Sequence, residues 1–126
     1  MSLQTPLARA RGLGSSKEGL HHWTAQRLTA IALVPLSLWF IFSTVSVISK
    51  DYSTVTLWLQ AHFNAVLMLL FITAMYYHAA LGLQVVIEDY VASKWQKIGC
   101  LVLIRFLVFF AGLSSALAVI KVYLGL

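Results

Sequence analysis

The sequence has few charged residues. Lys, Arg, Asp and Glu together make up 10% of its 126 residues, whereas hydrophobic residues make up 60%. An ordinary soluble domain carries about 25% charged residues. A globular protein of this length buries only about two-thirds of the surface that its unfolded chain exposes, so it could not hide this much apolar side chain from water. The composition therefore excludes a soluble domain and a disordered tail, and it indicates a small membrane protein.

Cysteine and acidic residues are also scarce. Cys100 is the single cysteine, so no disulfide can form within the chain, and no Cys/His spacing typical of a zinc site occurs. Four acidic residues stand against nine Lys and Arg, which gives a net charge of +5. In so apolar a chain, this excess indicates membrane topology and contact with anionic lipid, and not nucleic acid.

Three apolar stretches are long enough to span a bilayer, which takes about 20 residues. Residues 28–48 and 63–87 contain no fixed charge, and residues 98–120 contain one, Arg105. An α-helix lets each stretch satisfy its own backbone hydrogen bonds in lipid. The short connections favour antiparallel neighbours. The sequence therefore predicts an all-α membrane protein, with a polar N-terminal arm at residues 1–27 and a three-helix transmembrane anchor domain at residues 28–126.

Lys and Arg are distributed unevenly between the two sides of these predicted spans. The arm and the second loop carry six of the nine, while the first loop and the C-terminal tail carry two. The positive-inside rule then places the N-terminus in the cytoplasm and the C-terminus in the periplasm. The arm lacks the apolar stretch of a secretory signal peptide, so we expect it to be retained. This pattern predicts a multi-pass protein of the bacterial inner membrane, or of the mitochondrial inner membrane if the source is an organelle.

One ionisable residue, His78, lies deep inside the second predicted span, about 13 Å from its cytoplasmic end. An ionisable group at that depth is costly and indicates a function. It could be a haem ligand, a proton relay, a metal ligand or a hydrogen-bond partner of a neighbouring helix. Gly82, one turn later on the same face, would leave room for a flat macrocycle, but a small residue there equally favours close helix packing.

A haem ligated by two histidines would need a second chain. His62 lies 16 residues before His78, roughly on the opposite face of the same helix. His21 and His22 precede the first span. The haem hypothesis therefore predicts an obligate partner subunit.

An acidic pair and a tyrosine, Glu88-Asp89-Tyr90, directly follow the second span. Asp89 is 11 residues after His78, and this spacing returns it to within about 20° of the same helix face. The arrangement would suit a redox reaction that takes up protons, and the phenol of Tyr90 could hydrogen-bond a carbonyl ligand. The alternative is that both residues simply belong to the membrane interface.

Two motifs make the sequence similar to a known family. His78, Gly82, Asp89 and Tyr90 form the pattern H-x3-G-x6-D-Y near the end of the second of three spans. The segment HHWTAQRLTAIALVPL, residues 21–36, is similar to the arm and first span of alphaproteobacterial and mitochondrial-type members. The chain thus resembles the D-type hydrophobic membrane-anchor subunit of succinate dehydrogenase (complex II).

This resemblance implies a subunit of succinate:ubiquinone oxidoreductase, which serves the respiratory chain and the tricarboxylic acid cycle. The implied partners are a C-type cytochrome b membrane subunit, an iron–sulfur subunit and a flavoprotein subunit, and succinate oxidation would not occur on this chain. His78 would be one axial ligand of a haem b shared with the C-type subunit. Tyr90 would donate a hydrogen bond to ubiquinone, Asp89 would belong to the proton path, and Arg27 and Gly82 would lie near the haem propionates or the quinone pocket. The alternatives are a cofactor-free structural or assembly anchor and a proton-relay subunit of a small transporter.

Overall fold

Three long helices dominate the structure. The computed structural model describes residues 5–7, 12 and 17–126, without the side chains of residues 17 and 18. The long helices are α1 (Lys17–Val47), α3 (His62–Tyr90) and α4 (Lys94–Tyr123), and a short helix α2 (Tyr52–Gln60) precedes α3. The three long helices are each long and apolar enough to cross a membrane. The predicted all-α fold with three spans is therefore confirmed.

The helices extend beyond the predicted spans, because a helix need not stop where the hydrocarbon does. α1 begins at Lys17, so residues 17–27 of the predicted arm are helical. Arg9 and Arg11, also assigned to the arm, lie outside the described residues. α1 continues through Pro35 as one helix.

The first loop contains α2, which was not predicted from the sequence. Its indole Trp58 stacks on Trp39 of α1, with 5.9 Å between ring centroids. Asp51 precedes the helix, and the hydroxyls of Ser53 and Thr54 that donate to its carboxylate lower its pKa to about 2. α2 is thus a short interfacial element whose apolar side chains pack on the long helices, which explains its absence from a search for spans.

The packing face of α1 follows a heptad spacing. One series of half-buried positions recurs alternately every four and three residues, as in a coiled-coil seam: His22, Gln26, Thr29, Leu33, Leu36, Phe40, Ser43 and Val47. Five positions beside this series are also half-buried: Ala25, Ala30, Ser37, Trp39 and Thr44. Large apolar side chains such as Phe42, which is 73% exposed, face away from the chain. One face of α1 therefore packs on the protein, and the other is available to lipid or to other subunits.

α1 and α3 are antiparallel. Phe40, in the second half of α1, stacks on Phe71 of α3 with 4.7 Å between ring centroids. Thr29, earlier in α1, contacts His78, which comes later in α3. Paired residues therefore run in opposite order along the two helices.

α3 and α4 are antiparallel as well. At one end, the ammonium group of Lys97 donates to the backbone carbonyl oxygen of Glu88 at 2.9 Å. At the other end, Nδ1 of His62 lies 3.1 Å from the hydroxyl of Tyr123. α3 thus lies between α1 and α4 and packs against both.

Little of the chain is buried within itself. Among the described residues four apolar side chains are buried, Ala65, Leu81, Ile87 and Val119, and three of these belong to the central helix α3. A soluble protein would not leave so much apolar surface in contact with water. The outer surfaces of the helices are therefore suited to lipid and to other membrane subunits.

Gly112 of α4 lies against a tyrosine ring of α3. A Cβ atom at Gly112 would lie 3.5 Å from two ring carbons of Tyr76. The hydroxyl of Tyr76 lies 3.2 Å from the hydroxyl of Ser115, one turn farther along α4. The Tyr76 ring thus packs against the backbone of α4 at Gly112, and its hydroxyl contacts Ser115.

We expect Gly112→Val to destabilise the chain more than Gly99→Val does. The branched methyl groups of Val would enter the space of the Tyr76 ring, and such overpacking costs about 1–3 kcal/mol. Gly99 lies on the same helix with no neighbouring atom within 4 Å of its Cβ position, so it is a matched control for helix propensity. The measurement is the thermal midpoint of each variant in mild detergent. Equal midpoints would show that Gly112 is not a packing contact.

Candidate functional site

His78 lies in the interior of α3 and faces α1. It is half-buried, and its Nδ1 atom is 2.9 Å from the hydroxyl oxygen of Thr29. The helix continues for twelve residues beyond it to Tyr90, a distance of about 18 Å at 1.5 Å per residue. The one histidine in the middle of the second predicted span is therefore held by a polar contact with the neighbouring helix.

The Thr29 hydroxyl has two further contacts, with the backbone of its own helix. Its oxygen lies 2.8 Å from the carbonyl oxygen of Ala25 and 3.1 Å from that of Gln26. The contact between Thr29 and His78 was not predicted from the sequence. The sequence of α1 carries no clear signal for it, because the half-buried positions that include Thr29 are recognised only once the helices are packed.

The half-buried series of α1 that contains Thr29 also carries two polar residues with unpaired atoms. Nε2 of His22 and Oε1 of Gln26 are shielded from solvent and have no hydrogen-bond partner among the described residues. Gln26 also lies opposite Gly82, where a Cβ would be 3.8 Å from its side-chain nitrogen. We call these five residues, His22, Gln26 and Thr29 of α1 with His78 and Gly82 of α3, the polar seam. Buried polar groups are rarely left unpaired, so the seam has unused bonding capacity.

Two neighbouring carboxylates at the C-terminal end of α3, those of Glu88 and Asp89, differ in their hydrogen bonds. The Glu88 carboxylate accepts a hydrogen bond from the Gln84 amide at 2.8 Å, and the Glu88 backbone carbonyl accepts one from Lys97. Asp89 is exposed and has no such bond within the described part of the chain. Tyr90, which is 85% exposed, is equally free of hydrogen bonds there. Asp89 and Tyr90 are therefore accessible at the end of the helix that carries His78.

Arg27 is not brought to His78 within this chain. It is exposed, and its guanidinium lies over the ring of Trp23, 5.4 Å from the centroid. Two residues along a helix correspond to a rotation of about 200°, so Arg27 points away from Thr29 and the polar seam. Its predicted contact with a haem propionate or a quinone pocket stays a prediction.

Metal-binding side chains are sparse. Among the described residues no group of three or more His, Cys, Asp or Glu side chains could enclose a metal ion. His78 could therefore contribute a single ligand, of the kind that a haem iron takes from each side. An apolar groove of about 310 Å³ lies between α1 and α3; its lining does not include His78 and consists of Thr29, Ala32, Leu36, Leu70, Thr73, Ala74 and Tyr77.

Comparison with known proteins identifies the family. The chain matches the succinate dehydrogenase/fumarate reductase transmembrane subunit family over residues 1–113, which is most of its length. The chain belongs to this family. The resemblance that the two sequence motifs indicated is thereby confirmed, and the three apolar helices agree with a multi-pass transmembrane subunit.

Individual members of the succinate dehydrogenase family are similar over about two-thirds of the chain or more. The succinate dehydrogenase hydrophobic membrane anchor subunit of Rickettsia conorii is 41% identical over 87 residues, which cover 68% of this chain and 69% of the relative. The succinate dehydrogenase membrane anchor subunit of Reclinomonas americana is 36% identical over 93 residues, 71% of this chain and 78% of the relative. The Paracoccus denitrificans anchor subunit is 29% identical over 93 residues, 74% and 72% of the two chains. No solved structure gives a significant match.

Proposed function

We propose that this chain is the hydrophobic membrane anchor subunit of a succinate dehydrogenase and that it binds haem b through His78. The family and the names of the relatives support the anchor role. The observation that carries the haem proposal is the state of the His78 ring. Nδ1 is engaged by Thr29, whereas Nε2 has no hydrogen-bond partner among the described residues.

The surroundings of His78 fit a haem ligand. A ligating histidine usually uses its second ring nitrogen for a hydrogen bond that orients the ring, as Nδ1 does here. Thr29 also lines an almost entirely apolar groove between α1 and α3. At the polar edge of the site, the unpaired Oε1 of Gln26 would accept a hydrogen bond from water, and Nε2 of His22, when it carries a proton, would donate to water or to a propionate. When bound, haem b would supply one-electron transfer.

The second axial ligand would belong to another subunit. His62 is at the opposite end of α3, where it contacts Tyr123, so it cannot reach the iron that His78 would bind. We assign the missing ligand to a C-type cytochrome b subunit, which would pack against α1 and α3. The iron–sulfur and flavoprotein subunits would dock at the cytoplasmic end and would carry out succinate oxidation.

Asp89 and Tyr90 are the residues that would serve ubiquinone reduction. Reduction of a quinone to a quinol consumes two electrons and two protons, so its site needs a hydrogen-bond donor and access to protons. The exposed phenol of Tyr90 can donate to a quinone carbonyl. The exposed carboxylate of Asp89 can take a proton from water and release it, whereas the Glu88 carboxylate is already bonded to Gln84.

This function requires the end of α3 that carries Asp89 to face the cytoplasm. The distribution of Lys and Arg supports that orientation, with the N-terminus on the same side and the C-terminus in the periplasm. In a mitochondrion the same side would face the matrix.

We expect His78→Ala to abolish the absorption bands of low-spin haem b in the purified complex, because one axial bond to iron is lost. His62→Ala is the matched control, since it removes a histidine from the other end of the same helix and should leave the spectrum unchanged. The measurement is the visible absorption spectrum of the wild-type complex and of each variant. A normal haem spectrum in His78→Ala would refute the ligand assignment, and a wild-type complex without haem would indicate a cofactor-free anchor.

We expect Tyr90→Phe to slow ubiquinone reduction about fivefold, the effect of losing one hydrogen bond worth about 1 kcal/mol. Succinate oxidation by an artificial dye should be unchanged, because it does not use the quinone site. Tyr52→Phe, a change in an equally exposed tyrosine of α2, is the control. The measurement is the steady-state rate of each variant with ubiquinone and with the dye as electron acceptor. An unchanged rate of ubiquinone reduction in Tyr90→Phe would show that Tyr90 is not part of the quinone site.

The proposed membrane orientation places Lys50 in the periplasm and Lys94 in the cytoplasm, so cysteines at these two positions should differ in their labelling from outside the cell. In a Cys100→Ala background, Lys50→Cys should react with a membrane-impermeant maleimide in intact spheroplasts. Lys94→Cys should react only after the membrane is permeabilised, because its loop would lie in the cytoplasm. The reverse labelling pattern would contradict the proposed topology.

A further inference from the structure

We infer that Thr29 is a positioning residue for His78: its hydroxyl holds the imidazole proton on Nδ1 and so leaves the Nε2 lone pair free to bind haem iron. This inference rests on the proposed function, since it concerns how the ligand is prepared. It assigns a role to Thr29, a residue of the segment 21–36 to which no function was given from the sequence.

The count of protons around the Thr29 hydroxyl supports the assignment. Its oxygen lies within hydrogen-bond distance of three atoms, the carbonyl oxygens of Ala25 and Gln26 and Nδ1 of His78. A hydroxyl has one proton to donate, and a carbonyl oxygen can only accept. If the hydroxyl donated to Nδ1, its oxygen would face two carbonyl oxygens at 2.8 and 3.1 Å with no proton between them. If Nδ1 carries the proton, the hydroxyl accepts a hydrogen bond from Nδ1. Its own proton is then directed at the carbonyl oxygens of Ala25 and Gln26, so a proton lies in every close contact.

The position of the Thr29 oxygen is fixed by its own helix. A threonine hydroxyl that bonds to the carbonyl one turn earlier is restricted to few side-chain rotamers. The oxygen therefore presents its lone pairs to His78 from a rigid support on α1. The imidazole is oriented by this contact before any iron binds, which lowers the cost of ordering it in the site.

The same hydrogen bond should influence the iron. Donation from Nδ1–H to an oxygen acceptor raises the basicity of the ligating nitrogen, and loss of such an outer partner typically lowers metal affinity by about 10–100-fold. A more basic ligand stabilises ferric over ferrous iron. Loss of the Thr29 hydroxyl should therefore weaken haem binding at least tenfold and raise the haem reduction potential. A tenfold larger loss of affinity for the ferric than for the ferrous form would raise it by about 59 mV.

The test uses Thr29→Val in the purified complex, because Val keeps the shape of Thr and removes its hydroxyl. Thr29→Ser restores a hydroxyl and should restore both haem content and potential. Thr24→Val is the matched control: the Thr24 hydroxyl also donates to a carbonyl one turn earlier on α1, that of Leu20 at 2.7 Å, but it is exposed and contacts no histidine. Thr29→Ala is a second hydroxyl-free variant if the first fails to assemble.

Haem content from the visible spectrum and the potential from a redox titration are the readouts. We expect a higher potential and lower content in Thr29→Val, wild-type values in Thr29→Ser, and wild-type values in Thr24→Val. An unchanged potential in the hydroxyl-free variants would overturn the inference, as would equal losses in Thr29→Val and Thr29→Ser, which would indicate packing alone. In either case a haem-free His78→Ala complex would leave the proposed function intact, whereas haem retained in that variant would refute the ligand assignment itself.

Discussion

A polar side chain inside an apolar span must find a partner, since burying it without one costs several kcal/mol. In this chain the constraint applies to His78, the one histidine in the middle of α3. The partner comes from α1 and not from α3 itself, because the Thr29 hydroxyl reaches Nδ1 across the interface. This contact joins α1 to α3 at the level of the imidazole, and the Phe40–Phe71 stack joins the same helices farther along. The second ring nitrogen has no partner among the described residues and is the atom that would bind iron.

The architecture follows from how little of the chain is buried within itself. α3 uses two sides, against α1 and α4, and it carries three of the four buried side chains. Gly112 of α4 packs against Tyr76 of α3, and among the described residues side-chain hydrogen bonds join these two helices at Ser115, Tyr123 and Lys97. α1 has one such bond to α3, between Thr29 and His78, and it lies at the candidate ligand. The polar contact beside His78 therefore comes from α1, and the site would be completed by another subunit of the complex.

Hydropathy and length were sufficient to predict the three spans, because apolar runs of more than 20 residues have few alternatives. The same criteria missed α2, since a short interfacial helix needs no long apolar run. His78 stood out because it is ionisable and deep. Thr29 did not, because a threonine in a span is unremarkable until the helix opposite it is known. The pairing of Thr29 with His78 depends on the register of two helices, which is a tertiary property that one sequence does not specify. Arg27 was predicted from its position at the start of a span; within this chain its guanidinium lies over Trp23, and its contact with a cofactor stays a prediction.

The central claim is that His78, oriented by Thr29, is half of a haem site completed by a second subunit. An experimental map of the assembled complex tests it most directly, by cryo-electron microscopy at a resolution that shows side chains. We expect iron bonded to Nε2 of His78, a histidine of another subunit on the opposite side of the macrocycle, and Thr29 within hydrogen-bond distance of Nδ1. A map in which His78 faces lipid, or in which the iron is bonded to Nδ1, would contradict it.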